Sequence, residues 1–138
     1  MSISDKRTGI LDNSTIKNSF YKKLNDIGLH ETYDEVMKEL IGLSNLSRQV
    51  GLIPMCEALC KNGILSEILL FIKNAMENTD VPNIYKKLLL VFEPKLLDDS
   101  LSSDEYTTIV ICMEGMFQIL TGETPEQIQL HIKNIVSG

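Results

Sequence analysis

One local pattern occurs twice in this chain, 44 residues apart, and it restricts the fold more than any other feature: an apolar helix stops at a turn and an amphipathic helix starts beyond it. The first copy reads Phe71-Ile-Lys-Asn-Ala-Met-Glu-Asn-Thr-Asp-Val-Pro-Asn-Ile-Tyr-Lys-Lys-Leu88, and the second Gly115-Met-Phe-Gln-Ile-Leu-Thr-Gly-Glu-Thr-Pro-Glu-Gln-Ile-Gln-Leu-His-Ile132. At that offset Met76 falls on Leu120, Asn78 on Gly122, Asp80 on Thr124, Val81 on Pro125, Ile84 on Ile128, Leu88 on Ile132 and Val91 on Ile135. Asn78 and Gly122 are residue types that accept the left-handed conformation ending a helix. Asp80 and Thr124 carry a side-chain oxygen able to accept from the freed amides of the next helix. Pro125 follows at the first helical position, where its missing N–H costs nothing. Capping of this kind is common and reads as structural by itself; the fixed register of two copies raises it above that background.

The rest of the chain is written in the same period. Ser14 is placed to cap a first helix running to Ile27, with Gly28 past its end, and Leu29 or His30 leads into a second that carries Val36, Leu40, Leu43, Leu46 and Val50 at helical spacing. Gly51 and Pro54 mark a break, because proline inside a helix removes a hydrogen bond and clashes with the preceding turn. A short helix from Pro54 to Lys61 follows, closed by Asn62-Gly63, and the next runs from Ile64 to Glu77 with Ile64, Ile68, Phe71, Ile72 and Ala75 inward. The stretch Pro94 to Ser103, rich in cap and turn residues, is the one evident loop. Tyr106 to Cys112 is β-branched, but Glu114-Gly-Met-Phe-Gln continues it too regularly for a lone strand. These readings predict an all-α fold, a compact bundle of six or seven helices containing two similar helix-turn-helix units, with residues 1–13 a flexible tail and 14–136 a single helical domain.

Composition excludes several classes of function. A chain of 138 residues buries roughly two thirds of its unfolded surface without a metal or disulfide staple. Thirteen basic against nineteen acidic residues give a net charge of -6, and no basic cluster exceeds Lys22-Lys23 or Lys86-Lys87, so nucleic acid and anionic lipid are poor partners. The most apolar stretches, Ile64 to Ile72 and Ile109 to Leu120, are too short for a membrane span and carry Glu67 and Glu114. Cys56, Cys60 and Cys112 lack zinc-site spacing, and Met1-Ser-Ile-Ser-Asp5 is not a signal peptide, which points to a reducing, cytoplasmic setting.

Two stretches in order resemble the cytoplasmic segments of the flagellar motor stator protein MotA family. Leu43-Ser-Asn-Leu-Ser-Arg-Gln-Val-Gly-Leu52, followed by Glu57, Glu77-Asn-Thr-Asp80 and Ile84, is similar to the family's first cytoplasmic segment. Met113-Glu-Gly-Met-Phe-Gln-Ile-Leu-Thr-Gly-Glu-Thr-Pro-Glu-Gln-Ile128, with Ile132, is similar to the segment after its last membrane helix. The likeness covers roughly residues 36–136, with short motifs, and only Leu90 to Glu105 lies where the family has a pair of membrane helices. Because the family's proton path runs between membrane helices, the resemblance implies no ion conduction here. It implies contact with the motor's rotor through Arg48, and less securely Glu57, since Cys56 occupies the aligned position and its neighbour points about 100° away on a helix. An ordinary exposed charge is the alternative for Arg48.

No catalytic or cofactor site emerges. Cys56 and Cys60 at i,i+4 read as buried core thiols, no metal or cofactor is expected, and His30 and His131 have no nucleophile in a recognisable setting. Glycine-rich phosphate loops, nucleophile elbows and metalloprotease motifs are absent, so an enzyme is not expected. Glu114 stands out as a carboxylate within an apolar run. Its simpler reading is exposure by helical rotation; the sharper one is pairing with a lysine or arginine across an interface. Arg48, Glu57 and Glu114 are therefore the candidate partner-binding residues. The expected function is a soluble, MotA-like adaptor linked to the motor, with rotor or stator proteins as partners; the alternative is an unrelated helical interaction module, either a dimeric scaffold or an immunity-type inhibitor. Met37, Met55, Met76, Met113 and Met116 offer adaptable apolar surface for self-association, or simply core filling.

Overall fold

The computed structural model describes residues 9–27, 30–98 and 100–137, and among them every regular element is helical. A 3-10 turn, η1 (Ile10–Asp12), precedes seven α-helices: α1 (Ser14–Ile27), α2 (His30–Val50), α3 (Leu52–Met55), α4 (Gly63–Met76), α5 (Val81–Leu97), α6 (Ser103–Leu120) and α7 (Pro125–Ser137). The all-α bundle expected from the apolar spacing is what forms.

Helix α6 is the axis around which the others pack. Every side chain from Tyr106 to Met116 is buried, as happens when a helix is apolar on all sides and has neighbours on all sides. η1, α1, α2, α4, α5 and α7 all lie against it. Gly115 explains how α2 comes so close: a Cβ there would collide with the side chain of Leu40, so the two backbones approach only because α6 carries a glycine at the crossing. On the opposite flank the Tyr106 hydroxyl donates to the Ile16 carbonyl at 3.2 Å, fixing α1 to α6 inside the core.

The two repeated turns agree in their starts and differ in their stops. The Asp80 carboxylate accepts from the Asn83 amide at 3.3 Å and caps α5. The Thr124 hydroxyl accepts from the Gln127 amide at 3.2 Å while Gln127 accepts from the Thr124 amide at 2.9 Å, a reciprocal capping box that opens α7 with Pro125 as its first residue. Behind it, Gly122 takes φ +83°, and the Gly122 and Glu123 amides donate to the Ile119 and Gln118 carbonyls at 3.1 and 3.0 Å, closing α6 in a Schellman turn. The first copy uses no such residue: among the described residues no non-glycine has positive φ, and the Asn78 amide simply donates to the Ala75 carbonyl at 3.1 Å. Ile84 and Ile128, and Leu88 and Ile132, are equally buried pairs, whereas Val91 is exposed where Ile135 is half-buried.

Several local expectations need correction. The cap of α1 is Asn13, whose side-chain oxygen accepts from the Thr15 and Ile16 amides at 3.0 and 3.2 Å, and Ser14 is the first helical residue. The break at Gly51 is real, with φ +94°, but the short helix starts at Leu52 and stops at Met55. The following segment instead hangs on Glu39 of α2, which accepts from the Lys61 and Asn62 amides at 2.8 and 2.9 Å. Asn62 begins α4 rather than ending its predecessor, accepting from the Ile64 and Leu65 amides. Helix α5 passes through Pro94 to Leu97, because buried Leu96 anchors the last turn and the lost proline N–H falls near the helix end. Of the expected tail, residues 1–8 lie outside the described residues, whereas Gly9 and Ile10 are buried and η1 packs against α6.

Candidate interaction surface

The three residues singled out from sequence do not meet on one face. Arg48 is exposed in the last turn of α2. Glu57 is exposed after α3 and pairs with Lys73 at 3.6 Å, both ends in solvent, where such a pair contributes little. Glu114 is only 3% exposed, which overturns both readings made for it. Its partner lies within the chain and is a histidine: His131 Nε2 sits 2.9 Å from Glu114 Oε1, and the Leu11 amide donates to Oε2 at 3.4 Å. Gly9 completes the enclosure, since a Cβ there would strike this carboxylate. Glu114 thus holds η1 and α7 against α6. Sequence offered one hint, a histidine beside the apolar stripe of α7, but nothing local ties it to a residue on α6.

The cysteines and methionines are also core rather than surface. Cys56 and Cys112 are buried and Cys60 half-buried, though Cys56 and Cys60 do not share a helix. Burial pushes the Cys56 thiol up to about 11, with Lys73 opposing and Glu57 reinforcing. Burial likewise raises the Cys60 thiol to about 11, with the adjacent Glu39 carboxylate adding to it. Thiols so protonated at neutral pH are poor nucleophiles. Met37, Met55, Met113 and Met116 are buried and fill gaps between helices, while Met76 is half-buried.

What the bundle leaves open is an apolar groove of about 680 Å³ between α5 and the C-terminal end of α6. Val81, Tyr85 and Leu89 line it from α5, and Phe117 and Leu120 from α6. The Tyr85 ring packs on Phe117 with centroids 4.8 Å apart, and its hydroxyl donates to the Met113 carbonyl at 3.3 Å, so the two rings form the floor and its polar atom is satisfied. Leu90 stands at the rim, 74% exposed, with Lys86 and Glu93 beside it. A second groove of about 520 Å³, lined by Ile53, Met76 and Ile84 among others, shares Val81 with the first. The sequence signal for this surface is Leu88-Leu89-Leu90-Val91-Phe92: five consecutive apolar residues sweep all the way around a helix, so on a helix without neighbours on every side one of them faces outward.

Among the described residues no group of histidine, cysteine and carboxylate side chains could hold a metal ion, and no helix is long and apolar enough to cross a membrane. Comparison with protein-family models, curated proteins and solved structures found no match for this chain.

Proposed function

We propose that this chain is a non-catalytic protein-interaction module whose working surface is the groove between α5 and α6, and that the groove receives the apolar face of a helix. The observation that carries the reading is Leu90, 74% exposed beside a floor of Tyr85, Leu89, Phe117 and Leu120. Contiguous apolar surface that folding leaves uncovered is where another protein gains most by binding. An α5 of 17 residues offers about 25 Å of groove wall, enough for a helix presenting apolar side chains at i, i+4 and i+7. Lys86 and Glu93 on the rim give such a helix a preferred direction. The test is site-specific photo-crosslinking in the native cell from position 86, with exposed Leu130 on α7 as control. A discrete adduct from 86 alone, mapped by mass spectrometry to a helical segment and abolished by Leu90→Asp, supports the reading. Equal labelling from both positions, or none, ends it.

An adaptor role at the flagellar motor is the second reading, and the exposure of Arg48 favours it, because that residue matches the rotor-contacting arginine of the MotA-like pattern. Support from the second matched segment is weaker, since Glu114 is enclosed. Binding to purified rotor protein that is lost on Arg48→Glu supports this role, and absence of binding removes it.

A further inference from the structure

We propose that the occupant of the groove is a second copy of this chain, with the two α5 helices lying antiparallel about a two-fold axis; the inference rests on reading the groove as the interaction surface. Helix α5 presents an outward stripe. Pro82, Lys86, Leu90, Glu93 and Leu97 fall within about 80° of one another on the helix wheel. Folding leaves the two leucines of this stripe exposed, Leu90 at 74% and Leu97 at 50%, and they stand seven residues apart, the spacing at which one helix offers successive knobs to another.

The groove lies alongside this stripe, so the molecule carries a ridge and a matching hollow next to each other. Adjacent complementary features of this kind are what an isologous interface uses, because one rotation seats both ridges in both hollows.

Charge then selects the direction. With the axis between positions 89 and 90, an antiparallel pairing sets Lys86 of one copy opposite Glu93 of the other, twice by symmetry, and brings Leu97 of each copy to the Val81–Pro82 end of the other's groove. A parallel pairing in register places Lys86 on Lys86 and Glu93 on Glu93, which is repulsive. Glu93 is also held in place, accepting from the Asn13 side chain at 3.0 Å.

Sedimentation velocity of the purified full chain tests the proposal. A dimer is expected, with Leu90→Asp weakening it on the order of 100-fold and Lys86→Glu on the order of tenfold, the latter difference shrinking in high salt. Both sites are exposed, so helix content by circular dichroism should match the parent, as should melting once parent and variants are diluted to monomer. Leu90→Cys should also join two copies through a short bis-maleimide while Leu130→Cys does not. A strict monomer at the highest soluble concentration, or a dimer indifferent to Leu90→Asp, overturns the proposal. If the purified chain is monomeric while position 86 crosslinks to a different protein in cells, the groove reading stands and the self-association falls.

Discussion

Glu114 and His131 meet 2.9 Å apart, on α6 and α7, with the carboxylate buried and the ring one-third exposed at 33%. The same carboxylate takes the Leu11 amide on its other oxygen at 3.4 Å. A single side chain therefore joins η1, the central helix and the last helix, from positions more than a hundred residues apart at the extremes. Its burial is tolerable because both oxygens have polar partners.

The costs of removing the two members of this contact should not add. Glu114→Ala leaves the Leu11 amide and His131 without their acceptor and opens a hole beside Gly9, and should lower stability by about 2–4 kcal/mol in urea unfolding. His131→Ala leaves the buried carboxylate with only the long Leu11 contact and should cost about 2 kcal/mol. The double variant should lie well short of the sum, and strictly additive losses would show that the two groups do not sense each other.

A chain lacking residues 1–13 tests whether the segment before α1 is dispensable. Ile10 is fully buried in the core, so its loss alone should cost about 1.5–3 kcal/mol, to which the loss of the Asn13 cap adds about 1 kcal/mol. An unchanged urea midpoint would mean the segment is no part of the folded core.

Sequence periodicity carried the end of α1, the bounds of α2, the inward face of Val36, Leu40 and Leu43, and the caps at Asp80 and Thr124, because each depends on residues within one or two turns. It failed where distant segments decide. The environment of Glu114 is made by Gly9, Leu11 and His131, and the course of residues 57–62 is set by hydrogen bonds to Glu39, none of which local spacing encodes. The groove was half legible: the apolar run in α5 leaves a leucine outward once α5 lies at the edge of the bundle, but the hollow beside it is made by Phe117 and Leu120 of a distant segment. Asn78 misled because asparagine permits a left-handed stop without requiring one.

That difference between the two turns has a measurable consequence. Gly122→Ala places a Cβ at φ +83° and should cost about 1 kcal/mol, while Gly122→Asn should recover part of it. Asn78→Ala, at a position without positive φ, should move the thermal midpoint little. Equal losses at both sites would contradict the distinct stops.

Alkaline pH should weaken the fold through Cys56 and Cys60. Burial and neighbouring carboxylates raise both thiols from 9.0 to about 11, so the folded state holds protons that the unfolded chain has already released. Between those values the unfolded state binds fewer protons, and stability falls as pH rises; below about pH 9 both states are protonated and the contribution is complete. Urea unfolding should show a decline from pH 8.5 to 10.5 that is smaller in Cys60→Ser than in the parent. The same shift predicts labelling at pH 8 slowed roughly 100-fold relative to a free thiol of ordinary acidity, from thiolate fraction alone, with Cys56 slower still because it is buried. Labelling of Cys60 at the rate of a free thiol would show that the Glu39-anchored segment opens far more often than its two amide hydrogen bonds imply.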